Sequence, residues 1–179
     1  MPQQVTVYRL EELQAQFPAA YKAVHERWKK GIHSEPAPWS DEIMASLKAA
    51  VKACHAKLTD WSIGAYSPSY LTVDVPEPND EDGRTDLERF TDNVLIPNKY
   101  KVGEFPGLCP FTGYCADEDF VEHVYKRLVA GDTLKDALES LADLASQFME
   151  DDLKQMEEEE SMHANWGESL FTKNGQLIK

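Results

Sequence analysis

Residues 132–161 form the longest periodic segment of the chain, and they constrain the fold more than any other stretch. Leu134, Leu138, Leu141, Ala145, Phe148 and Met156 collect in one arc of a helical wheel, which predicts a single helix, long for a globular domain, over about 132–160. A shorter helix over 117–130 leads into it through Gly131. An apolar arc of that length must be buried against other elements. On the opposite side Asp132, Asp136, Glu139, Asp143, Glu150 and Glu157 fall within about 60° of one another. Asp136, Asp143, Glu150 and Glu157 repeat every seven residues, so a continuous helix would carry a line of negative charge about 40 Å long.

Solvent faces of helices are usually charged, but they mix signs, because Glu and Lys four apart add a few tenths of a kcal/mol. This segment has 11 acidic groups against Lys135 and Lys154 alone. Glu157 to Glu160 stand at the C-terminal end, where the macrodipole is itself negative. The charge therefore does not serve helix stability. Carboxylates on a rigid element can imitate a phosphate track and occupy a Lys/Arg groove with the counterion release that DNA would give. The four glutamates sweep about 300° of the axis, so only some can face one partner. A second track would come from Asp117, Glu118, Asp119 and Glu122, or from Asp80, Glu81 and Asp82.

The charge distribution narrows the partner class. Of the net −14, residues 1–60 contribute +1, residues 61–100 contribute −5 and residues 101–179 contribute −10. Such a surface repels nucleic acid and anionic lipid and attracts a basic protein. The 179 residues suit a single domain, 1–179, with enough aromatic residues to fold unaided. MPQQVTVYRLEELQ has no basic region followed by an apolar run, and no window reaches the length of a membrane span, so a cytoplasmic location is expected. Three cysteines, Cys54, Cys109 and Cys115, an odd number, suit free thiols in a reducing compartment.

The remaining segments predict a β-α-α-β-β-α-α-α-β-β order. Residues 3–10 alternate as a short strand; residues 11–30 form an amphipathic helix kinked or divided at Pro18; Ser40 opens a helix whose apolar face runs from Ile43 to Leu58. Residues 60–75 read as two strands around Ser-Pro-Ser, residues 76–86 as an acidic mobile loop, residues 86–96 as a short helix, and Asn174-Gly175 as a hairpin turn. The expected fold class is α+β, with one small antiparallel sheet built from about 4–9, 60–75 and 168–179.

No stretch selects a reaction. Cys109 and Cys115 are five residues apart in between, with His123 eight further on, but structural zinc calls for paired C-x₂₋₄-C spacings, so neither metal nor cofactor is expected. Cys115 stands near the start of the 117–130 helix, where the dipole lowers and Asp117, Glu118 and Asp119 raise its pKa. Phosphate-loop, dinucleotide, nucleophile-elbow and zinc-protease motifs are missing, and the chain reads as a non-enzyme.

The segments YRLEEL, LTDWSIGAYSPSYL and CPFTGYCADEDF, with a long acidic helix closed by LFTKNGQLI, resemble a family of small acidic proteins of tailed phages and prophages, some labelled antitoxin. The resemblance implies no catalytic residue. By analogy with phage anti-restriction and anti-CRISPR proteins, it implies an inhibitor that binds a basic nucleic-acid-binding surface of a host defence protein, a DNA mimic acting through Asp132, Asp136, Glu139, Asp143, Glu150, Glu157, Asp117, Glu118 and Asp119. Two alternatives stand beside it: an antitoxin-like partner that packs through Trp61, Tyr66 and Tyr70, and a phage housekeeping domain whose acidity keeps it soluble.

Overall fold

A computed structural model describes residues 6–33, 40–77, 83–100, 111–112 and 116–178. The described elements in chain order are α1 (Leu10–Gln16), α2 (Pro18–Ile32), α3 (Ser40–Ala53), β1 (Lys57–Ser62), β2 (Tyr70–Asp74), α4 (Asp86–Phe90) continued by a π-helical turn Thr91–Leu95, α5 (Ala116–Val129), α6 (Leu134–Glu139), α7 (Leu141–Glu157), α8 (Glu159–Trp166), β3 (Leu170–Phe171) and β4 (Leu177–Ile178). The chain is α+β and mostly helical. Its contacts gather into two compact units, Pro38–Glu150 and the pair of segments Met1–Ala37 with Asp151–Lys179.

In the unit formed by the two chain ends, Leu10, Leu13, Tyr21, Val24, Met162 and Phe171 make the buried cluster, with Trp28 and Trp166 edge to face against it, 5.1 Å between centroids. Pro18 divides the first helical stretch, as its ring requires, and stands at the start of α2, where a missing N–H costs nothing. Of the strand expected over 3–10, residues 3–5 lie outside the described set, and the described residues show one bridge, Tyr8 with Phe171, closed by two 2.8 Å backbone bonds. The β3–β4 hairpin turns through Gly175, whose φ of 76° favours glycine.

In the central unit Ile43, Leu47 and Val51 of α3, Leu71 and Val73 of β2, Phe120, Val121 and Val124 of α5, Leu138 of α6, and Leu141 and Ala145 of α7 are buried. Helix α3 packs on α5, and α6 packs on both β2 and α5. The face expected on the second helix is the buried one, but the helix ends at Ala53 and Leu58 belongs to β1.

Two expectations are corrected. The three strand segments do not share a sheet: β1 pairs only with β2, and β3 only with β4 apart from the Tyr8 bridge. The outer edge of β2 is capped by a side chain, since the Val73 N–H donates to Glu139 Oε1 at 3.3 Å, and β3 has Tyr8 on its free side. Nor is 132–160 one helix. It breaks at Ser140, whose hydroxyl donates to the Ala137 carbonyl at 2.8 Å and offers the backbone a local alternative to the helical bond. It breaks again at Glu158, where ψ is 146°. There the last carbonyls of α7 are satisfied sideways: Trp28 Nε1–H donates to Met156 O and His25 Nε2–H to Glu157 O, each at 2.8 Å.

Candidate partner-binding surface

The seam between α5 and α7 organises the acidic residues of the central unit. Phe120 and Phe148 meet at 5.8 Å between centroids, and His123 Nε2 lies 2.8 Å from Ser140 Oγ. Moving toward the N-terminus along α5 therefore means moving toward the C-terminus along α7, so the two helices are antiparallel. The single hydroxyl proton of Ser140 goes to Ala137 O, which leaves its oxygen to accept from His123 Nε2–H. A serine nucleophile would need the reverse polarity, donating to the imidazole. Burial, followed by the positive charges of Arg127 and Lys126, holds His123 below its ordinary pKa, while Asp143 pulls the other way.

The predicted stripe is largely committed inside the chain. Asp132 forms an ion pair with Arg127, Asp136 reciprocates the Thr133 cap of α6, and Glu139 covers the β2 edge with Lys135 at 4.0 Å. Glu157, in the other unit, pairs with His33 at 2.9 Å. The break at Ser140 divides the stripe, leaving Asp136 and Glu139 on α6 and Asp143, Glu150 and Glu157 on α7. Asp143 is exposed and ion-paired to nothing among the described residues, and Glu150 is half-buried.

Asp117 is corrected as a surface residue. It is fully buried, and its carboxylate accepts from Phe111 N at 2.9 Å, Thr112 N at 2.7 Å and Thr112 Oγ1 at 2.9 Å, with Ser46 Oγ 2.8 Å beyond Thr112. It anchors the approach to α5 and presents no charge to a partner. Glu118 is half-buried and Asp119 exposed. Partial burial and the neighbouring Glu118 and Glu122 raise the Asp119 pKa. Asp143 acts on the His123 imidazole from across the α5–α7 seam, and Asp119 precedes it by one turn of α5.

Cys54 is buried and its thiol is pushed up to about 12, so it stays protonated and unreactive. It lines a cleft of about 360 Å³ together with His55, Glu77, Arg84, Arg89 and Phe90. Both guanidiniums there are engaged, Arg84 with Asp92 and Arg89 with Asp86, whose second oxygen accepts from Leu134 N. Cys109, Cys115 and the acidic residues 80–82 lie outside the described residues. Among the described residues no group of three His, Cys, Asp or Glu side chains could hold a metal, and no helix is long and apolar enough to cross a membrane.

The β1–β2 hairpin carries the feature that the acidic pattern concealed. Leu58 and Trp61 share the inner face with Leu71 and Val73, across a register shift at Thr59, while Asp60, Ser62, Tyr70, Thr72 and Asp74 face solvent. Trp61 remains 41% exposed, Tyr66 55% and Tyr70 48%. The Lys48 ammonium lies 5.0 Å from the Trp61 ring centre. Asp60 Oδ1 accepts from Trp61 N at 2.9 Å and Oδ2 accepts from Tyr70 Oη at 3.3 Å. Strand alternation is the only sequence signal that could have paired Asp60 with Tyr70, and the bulge obscures it. Comparison with family models, curated proteins and solved structures finds no match.

Proposed function

We propose that this chain is a stoichiometric inhibitor of the phage anti-defence kind, which binds a basic, nucleic-acid-binding surface of a host protein and carries out no reaction itself. The observation behind this reading is the charge left over in the central unit. Residues 38–150 hold 21 acidic against 10 basic groups, a net of −11. Arg84, Arg89, Lys126, Arg127 and Lys135 are each drawn to an acidic neighbour, and Lys48 sits on Trp61. What remains includes Asp41, Glu42, Asp74, Asp119 and Asp143, all exposed, against Lys52, Lys57 and Lys99. The field of such a unit speeds encounter with a positive groove and weakens as salt rises.

The test is displacement. Labelled duplex DNA is bound to a purified CRISPR effector complex or restriction enzyme, and the chain is titrated in at low and at physiological salt. Release that fades with salt, and that Asp119→Asn with Asp143→Asn together weaken, is the expected result. Asp136 and Glu157 are unsuitable for substitution because they cap α6 and pair with His33. No release from such targets at low salt, or full release by the double variant, would overturn the proposal. A second reading, an antitoxin-like partner held by packing, draws on the exposed Trp61, Tyr66 and Tyr70. It requires binding indifferent to salt.

A further inference from the structure

We infer that the solvent face of the β1–β2 hairpin seats an arginine side chain of the partner, held by Asp60 and Tyr70. The inference rests on the reading that the partner is basic, and it names where one of its cations goes. An exposed carboxylate ordinarily rotates freely and gains little from an ion pair. The Asp60 carboxylate is instead oriented, one oxygen accepting from the Trp61 amide at 2.9 Å and the other facing the Tyr70 hydroxyl at 3.3 Å. Each oxygen keeps a lone pair free, so both can accept the parallel N–H groups of a guanidinium. The Tyr70 ring stands beside that carboxylate, 48% exposed, and offers a π face. The Asp60 charge raises the Tyr70 pKa, in keeping with their proximity.

Charge complementarity selects the occupant. Asp60 and Asp74 lie on this face, within a unit of net −11, and Lys57, opposite Asp74, is its one cation. The hairpin already binds one cation on its aromatic surface, the Lys48 ammonium against Trp61. Arginine fits better than lysine because a planar fork matches two carboxylate oxygens and stacks on a ring, whereas an ammonium is a strongly hydrated point charge.

Hexa-arginine and hexa-lysine peptides, equal in charge, are titrated into the ¹⁵N-labelled chain and followed by amide shifts. Hexa-arginine should bind more tightly and move the amides of Asp60, Trp61, Ser62 and Tyr70. Tyr70→Ala should weaken it about three- to fivefold, the share of an exposed cation–π contact, and Tyr70→Phe, which keeps the ring but frees Asp60, should weaken it less. Asp119→Asn with Asp143→Asn should leave the arginine preference unchanged. Equal affinity for the two peptides, or shifts confined to α5 and α7, would overturn the inference. Hairpin binding without displacement of DNA from any nuclease would sink the inhibitor reading alone, and undiminished displacement by Tyr70→Ala would sink this one alone.

Discussion

Replacing Asp117 tests whether the acidic start of α5 is a surface feature or an internal anchor. The carboxylate is fully buried and accepts three hydrogen bonds from Phe111 and Thr112. A hydrogen bond to a charged group contributes about 1.5–3 kcal/mol net. The three do not sum, because Thr112 is exposed and its N–H and hydroxyl regain water, and because removing a buried carboxylate also removes its desolvation cost. The half-buried Phe111 amide is the donor left short, and the favourable charge in the first turn of α5 is lost as well, about 0.3–1 kcal/mol. Asp117→Ala should therefore destabilise the central unit by about 2–4 kcal/mol. Asp117→Asn should cost only about 1 kcal/mol. Its carbonyl oxygen can take both amides while its NH₂ donates to Thr112 Oγ1, whose own proton turns to Ser46 Oγ at 2.8 Å. Urea denaturation followed by circular dichroism gives the energies, and hydrogen exchange at the Phe111 and Thr112 amides localises them. An Ala variant within about 0.5 kcal/mol of the parent, or an Asn variant as damaged as Ala, would refute the anchoring argument.

Gly175→Ala should cost about 2–3 kcal/mol in the unit formed by the chain ends, because the residue needs φ of 76° and an added Cβ would come within 2.9 Å of both Ala20 O and Val24 Cγ2; an equal unfolding midpoint would contradict it. His123 binds its proton less readily folded than unfolded, so below its ordinary pKa of 6.5 the unfolded chain holds more protons. Stability should be full above that value and fall as pH drops from 6.5 through the lowered folded pKa. His123→Gln, which keeps a donor for Ser140, should flatten that slope in denaturant titrations run across this range; an unchanged slope would assign it to other groups.

Much of the secondary structure was legible because its signals are local. Pro18 cannot sit inside a helix, the Ile43 to Val51 face repeats at 3.6 residues, and Gly175 takes a positive φ that few other residues tolerate. The break at Ser140 was not legible. The wheel pattern continues through it, and the Ser140 hydroxyl lies between the Ala137 carbonyl and His123 of another helix, a neighbour that the local pattern does not name. The same holds at Glu158, where the side chains that finish α7 come from α2, more than a hundred residues away in the chain.

Composition by itself determined the sign of the protein's field, since net charge needs no coordinates. Tertiary structure decided which carboxylates are left to express that field. Asp117 was folded inward as a hydrogen-bond acceptor, Asp132 was drawn to Arg127, Glu139 to the Val73 amide and Glu157 to the His33 imidazole, and Asp60 was set beside Tyr70 by a strand pairing. A carboxylate's role depends on which donors lie within about 3 Å, and those donors come from segments far apart in sequence.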